Sequence, residues 1–459
     1  MRTLRIVVAF FAYAYPAAAA LSDGARTALD KGIAQTLAVF GAPSVSVAVV
    51  EDGKLAYARA FGEANLARHE AATTATRYAV GSISKQFTAA ALLLAQEQGK
   101  VSIDDKVGKY FPELTRANEI TIRELLSHTS GYEDFAPQDY IIPDWTKPTT
   151  ARATMDKWAK KPLNFDPGTK WQYSNTNYVI AGSILEKVTG QSLLSFLQEH
   201  IFTPLGMRSA GEWVMAGGLD ADAYTRFALG PPRPVAREGA GWYFAAGELS
   251  MTPSDLSKWD VALLQKKILS EKSYAELVKE VKLSNGDATH YALGISLGEQ
   301  MGTPTLSHGG EVSGFLASNT VFPKKNAAVI VLSNEDGVGL VSAVSRQVSA
   351  ILVNRDDSAA LKQEQLIKQV LEGLQRGQLN RELFTDDALA YFGDTAISDY
   401  KASLAPMGKL VLLSKQAEQQ RGGMTHLTYR AHFEHASVAL NIYLMPGGKL
   451  EQFLVEEQF

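Results

Sequence analysis

"AVGSISKQFTAAALLLAQEQGK", residues 79–100, sets two serines and a lysine at the mouth of a long apolar run. The interior, "AAALLLAQ", is made of strong helix formers, and Gly99 is a natural helix stop. The stretch predicts a core helix from Ser82 to about Gln98. Ser82 and Lys85 stand at i and i+3 and so share one helix face, the lysine one turn below the hydroxyl. Apolar turns behind Lys85 would desolvate its ammonium, lower its pKa and make it available as a base. Backbone N–H groups at the helix start suit a developing oxyanion. These are the parts of an acyl-transfer site. The spacing alone is weak, because about two S-x-x-K matches arise by chance in a chain of this length. Ser398 and Lys401 form such a second match, without an apolar helix behind it. A plain N-cap with a surface lysine is the competing reading of the first.

Strands flank this helix at a distance. Upstream, "APSVSVAVVEDGKLAYARAFG" (42–62) predicts a hairpin around Asp52-Gly53. Downstream, "THYALGISLGEQ" (289–300), "TPTLSHGGEVSGFLASNTVF" (303–322) and "NAAVIVLSNE" (326–335) predict consecutive antiparallel strands, followed by a helix over 339–354. Residues 101–245 mix loops with short helices, and two longer helices are predicted at 177–189 and from Pro253, capped by Thr252. The fold class is therefore α+β: one antiparallel sheet built from both ends of a catalytic domain, with a helical insertion covering it. "RDDS" (355–358) marks a boundary. Beyond it a polar amphipathic helix and four alternating runs form a small C-terminal α+β domain, 359–459, faintly like cone-shaped NTF2 or cystatin-like units.

The composition is that of a globular protein: 459 residues, 46% apolar, net charge −4. This balance argues against a nucleic-acid partner. With no cysteine, thiol nucleophiles, thiolate metal sites and disulfides are excluded. The eight histidines contain no HExxH pair, and His432 and His435 read as surface residues rather than metal ligands. Residues 1–20 read as a signal peptide: Arg2 and Arg5, an apolar Val7–Tyr15 and a small-residue site at Ala18–Ala20. An uncleaved anchor is the alternative. The mature domain would start at 21 and run to 354, secreted or periplasmic, with no membrane span after cleavage.

Two further motifs raise the weight of Ser82. In "WQYSNTNY" (171–178) Tyr173 is a possible proton shuttle, and the Asn175 amide can hold both a lysine ammonium and a substrate carbonyl. Asn175 can equally be the N-cap of the helix that follows. In "LSHGGEVSGF" (306–315) Gly309 and Gly310 strip a strand of side chains beside His308, which often marks close approach of a ligand or backbone. A β-bulge is the bland alternative. "GISLG" (294–298) is formally G-x-S-x-G around Ser296, but no helix can follow it, so Ser296 reads as a strand residue.

Taken in order, these motifs resemble the penicillin-recognising serine hydrolase superfamily, most closely its class C β-lactamase-like branch of D,D-peptidases, D-amino-acid amidases and esterases. "DDKVGKYFPEL", "ITIRELLSHTSGY", "DPGTKWQYSNTNYVIAGSILEKVTGQS" and "IFTPLGM" extend the resemblance over roughly residues 30–352. It implies that Ser82 is the nucleophile, that Lys85 and Tyr173 share the proton work, and that Asn175 supports them. It places the oxyanion between the backbone N–H groups of Ser82 and Glu311, with His308, Gly309 and Gly310 lining the substrate, and it requires no metal or organic cofactor. The implied substrates are small esters, D-amino-acid amides or peptides. A true β-lactamase and a non-catalytic penicillin-binding sensor are the alternatives. Many β-lactamases carry a lysine where this chain has His308. With an ordinary imidazole pKa of about 6.5 the charge there would be partial, which predicts weak carboxylate recognition and poor β-lactam turnover.

Overall fold

The computed structural model describes residues 21, 23–138, 140–212, 221–337, 339–353 and 358–457. The expected signal peptide and most of the "RDDS" boundary lie outside them. A seven-stranded antiparallel sheet forms the frame. Its strands are β1 (Ser44–Glu51), β2 (Lys54–Asn65), β3 (Ser296–Gln300), β4 (Thr303–Val312), β5 (Phe315–Phe322) and β6 (Ala327–Ser333), with a short edge strand at Glu70–Ala71. The order from that edge is β2-β1-β6-β5-β4-β3, so the two chain ends meet at β1 and β6, in register from Val45↔Ser333 to Val50↔Ala328. The Asp52-Gly53 turn closes β1 on β2 with both residues at positive φ, 51° and 69°, the requirement of a type I′ turn.

Strand β1 is buried on both faces, because layers cover the sheet on each side. Val45, Val47 and Val49 face helices α1 (Asp23–Phe40) and, further down the chain, α4 (Leu340–Val353). Ser46 and Ala48 face the helical insertion, where Ser44 and Ser46 hydrogen-bond the Tyr78 hydroxyl at 2.9 and 3.1 Å. The insertion centres on α2 (Ser84–Glu97) and α3 (Asn175–Thr189). Every residue of α2 from Ser84 to Ala95 is buried, as a helix apolar on all sides must be.

The α-helix starts two residues later than the sequence predicts. Gly81–Ile83 is a 3₁₀ turn, with Gly81 at φ +50°, and Ser82 sits in that turn. Residues 289–295 are also not strand. Gly294 at φ +72° breaks the run, and β3 begins only at Ser296, a strand residue as expected. Thr252 caps the helix Pro253–Leu264 by accepting from Asp255 N–H.

A second sheet of four antiparallel strands, Leu410–Arg421, Met424–Phe433, Ser437–Leu444 and Leu450–Glu457, follows helix α5 (Ser358–Gln375). Alternate residues Leu427, Tyr429 and Phe433 pack with Val370 and Leu374 of α5 in a core of their own. His432 is 7% exposed, contrary to the surface position expected of it, and lies 6.2 Å from the Phe40 ring. His435 is exposed. Among the described residues no helix is long and apolar enough to cross a membrane.

Candidate active site

Lys85 is 0% exposed and its Nζ has three hydrogen-bond partners. Its Nζ lies 2.8 Å from Ser82 Oγ, 2.7 Å from Asn175 Oδ1 and 2.9 Å from the Ala246 carbonyl. Burial lowers its pKa to about 7, against a smaller upward pull from Asp134. The two carbonyl oxygens can only accept. A neutral Lys85 amine therefore gives them its two N–H bonds, and its lone pair is left facing the Ser82 hydroxyl. This is the geometry of a base aimed at a nucleophile, held by a helix with no room to shift.

Asn175 is the first residue of α3, not its N-cap. Ser174 occupies the cap position without a side-chain cap bond, and Asp134 does the work from a distant loop. Asp134 Oδ1 accepts from Asn175 N–H at 2.9 Å, and its Oδ2 from Asn175 Nδ2 at 3.3 Å. The Asn175 amide is thereby oriented with its oxygen on Lys85. Burial pushes the Asp134 carboxyl up, offset by hydrogen bonds from Ala136 and Asn175 N–H and by Lys85. Tyr173 completes the group. Its ring centroid is 4.8 Å from Lys85 Nζ, burial raises its phenol above the ordinary value, and a hydrogen bond with Ser82 works the other way.

The glycine strand passes in front of Ser82 without a bulge: His308, Gly309, Gly310 and Glu311 pair with Asn319, Ser318, Ala317 and Leu316. Strand β3 pairs with β4 only as far as Ser307, so β4 beyond that point has an open edge. A Cβ on Gly310 would lie 1.9 Å from the Val80 carbonyl, and one on Gly81 2.7 Å from Glu311 N. Glycine is thus what lets the 3₁₀ turn and the strand touch, and it brings the Glu311 amide beside the turn that holds Ser82. Gly310→Ala is expected to lower kcat/KM by about 10²-fold, because the strand must back away from the turn that holds Ser82 by about an ångström or more. Gly309→Ala, whose nearest neighbour would be the Ala317 carbonyl at 3.9 Å, should lose far less. Comparable losses in the two variants, measured on one ester, would contradict this.

His308 departs from its expected partial charge. It is 7% exposed, and burial, with Lys85 nearby, lowers its pKa to about 4. Its Nδ1 meets the Gly309 carbonyl at 2.5 Å, which assigns the proton to Nδ1. Nε2 then accepts from the Tyr291 hydroxyl at 2.8 Å. The imidazole is neutral near pH 7 and both nitrogens are occupied.

Ser82, Asp134, Tyr173, Asn175 and the strand from His308 to Glu311 line one cleft of about 760 Å³. Ser398 and Lys401, the chance match, are both exposed on a helix of the second unit. Asp134 went unread in the sequence. A lone acid in the loop "SGYEDF" has no spacing that ties it to a helix start forty residues on. The Ala246 carbonyl and Tyr291 are equally invisible, one being backbone and the other having no motif. His128, fully buried with φ +62°, packs its ring tilted against Tyr173 with centroids 4.3 Å apart and accepts from Ser174 N–H through Nδ1, a support under the tyrosine.

Comparison with known proteins gives this geometry a family. The Beta-lactamase family matches residues 29–350. A penicillin-binding protein of Bacillus subtilis is 28% identical over 312 residues, 63% of this chain and 68% of the relative. A D-aminopeptidase of Brucella anthropi is 27% identical over 310 residues, 64% of this chain but 56% of the relative, so this chain spans little more than half of that protein. The crystal structure of D-amino acid amidase from Ochrobactrum anthropi SV3, complexed with L-phenylalanine amide, superimposes with a TM-score of 0.62 at 26% identity, covering 72% of this chain and 99% of that one. The family match takes in the first sheet and both of its covering layers and stops before the second unit, and over that span the chain belongs to the beta-lactamase family of serine hydrolases.

Proposed function

We propose that the protein is an exported serine hydrolase that cleaves D-amino-acid amides, short D-peptides or small esters through an acyl-enzyme on Ser82. The neutral Lys85 amine takes the Ser82 proton as Oγ bonds to the carbonyl carbon. The oxyanion is held by the N–H groups of Ser82 and Glu311. The proton then passes, directly or through the Tyr173 hydroxyl, to the leaving nitrogen or oxygen, and the C–N or C–O bond breaks. A water molecule, deprotonated by the same pair, attacks the ester carbonyl, and the proton returns to Ser82 as the acid leaves.

The observation that carries the substrate choice is His308. A substrate with a carboxylate next to the scissile bond needs a fixed cation there, and a neutral, fully hydrogen-bonded imidazole is none. Similarity to a D-aminopeptidase and a D-amino acid amidase supports the same reading. The test is a panel on the purified protein: D-alanine amide and its L-isomer, a short-chain nitrophenyl ester, a D-alanyl-D-alanine peptide and nitrocefin. The D-amide and the ester are expected to exceed nitrocefin in kcat/KM. Nitrocefin as the best substrate would make the protein a true β-lactamase, and stable acylation without turnover would make it a sensor.

A further inference from the structure

Outside the cleft, four buried polar groups close a ring of their own. Gln86, on α2, is the residue after Lys85, and Asn319, on β5, stands opposite His308. The Gln86 amide donates to Asn319 Oδ1 at 3.0 Å and accepts from Trp259 Nε1 at 2.7 Å. Asn319 Nδ2 in turn donates to Asp260 Oδ1. Trp259 and Asp260 are neighbours on the helix Pro253–Leu264, which closes the ring. All four residues are at most 1% exposed, and none of them lines the cleft.

Such a ring is costly in a core, where apolar side chains would fill the same volume with no polar group to desolvate. Here the cost is not fully met, since Asp260 Oδ2 has no hydrogen-bond partner among the described residues. Burial pushes the Asp260 carboxyl far above its ordinary range, so near pH 7 it is a neutral acceptor for Asn319. What the ring supplies is direction. Apolar packing tolerates repacking, whereas hydrogen bonds fix both distance and angle. The elements it joins lead to the two oxyanion donors. Helix α2 follows directly on the turn of Ser82, and β5 pairs with β4 from Leu306 to Val312, Glu311 included.

We propose that Gln86, Asn319 and Asp260 are positioning residues that set the spacing between the Ser82 and Glu311 N–H groups, and so act on the oxyanion and not on the base. The proposal rests on the reading of those two N–H groups as the oxyanion site.

The test uses a short-chain nitrophenyl ester as substrate and phenylboronic acid, which forms a tetrahedral adduct on a serine, as inhibitor. Asn319→Leu is expected to lower kcat by about 10- to 100-fold, the range for a misplacement of up to about 1 Å, with KM within about threefold. Affinity for the boronic acid should fall by a like factor, because the adduct, unlike the bound ester, takes up the transition-state position. The pH midpoint near 7 in kcat/KM should stay, because Lys85 keeps its three partners. Asp260→Asn preserves a neutral acceptor and should hold kcat within about threefold of wild type, while Asp260→Leu should behave as Asn319→Leu does. A folded Asn319→Leu with wild-type kcat and boronic acid affinity would overturn the proposal and leave Ser82 acylation standing. A shifted pH midpoint would also sink it, by assigning the ring to Lys85, as would Asp260→Asn failing as badly as Asp260→Leu. Should Asn319→Leu not fold, Gln86→Met, similar in volume, reads the same ring from α2, and wild-type kinetics there count equally against the proposal. A wild-type protein that turns over no ester would overturn the acyl-enzyme reading and this one with it.

Discussion

Ser82→Ala is expected to lose at least about 10⁴-fold in kcat/KM on every ester and amide the protein accepts. The hydroxyl lies 2.8 Å from a lysine that has no other basic task, at the mouth of a cleft that admits substrate. The 3₁₀ turn does not depend on it, since Ser84 Oγ, not Ser82, bonds back to Gly81 O at 2.7 Å. Loss of rate should therefore come without loss of fold. A fluorophosphonate label mapped by mass spectrometry would appear on the peptide carrying Ser82 and be absent from the variant. Unchanged hydrolysis in Ser82→Ala would sink the assignment, whatever the family.

Lys85→Ala should cost about 10³-fold or more, near the upper range for a general base, and the pH profile identifies what was lost. The working form of Lys85 is the neutral amine. With its pKa lowered to about 7, protonation on the acid side removes the lone pair that faces Ser82. The kcat/KM of the wild-type protein is expected to fall tenfold per pH unit below about 7 and to level off above it. Tyr173, with its phenol raised by burial, does not titrate in that window. His308 titrates lower, at about 4, and adds a further loss only in strong acid. Lys85→Arg should be as inactive as the alanine variant, because a guanidinium stays protonated throughout. A flat profile from pH 5 to 9 would show that Lys85 is not the base.

Much of this was legible in the sequence, and the limits have physical causes. The buried helix announced itself through "AAALLLAQ", and the hairpin through Asp52-Gly53, because periodicity and turn chemistry are local. The glycine pair was legible as a place of close approach. Only the fold shows that Gly310 meets the Val80 carbonyl while Gly309 faces open space. The charge on His308 was misjudged because a pKa belongs to a surrounding: Tyr291 and the burial that silences the imidazole come from other parts of the chain. Asp134 was missed for a related reason. A single carboxylate carries no pattern, and its meaning lies in being buried opposite Asn175.

The junction of β1 with β6 has a consequence in time as well as space. Val45 waits for Ser333, so the central seam of the sheet cannot close until nearly three quarters of the chain has been made. Contacts so far apart in sequence are slow to form. Ser82 and Lys85 belong to the early half, and the strand that lies against them belongs to the late one. A nascent chain released before β4 would carry Ser82 and Lys85 with no strand to face them. The assembled site thus depends on the late strands of the sheet as much as on the helix that carries Ser82.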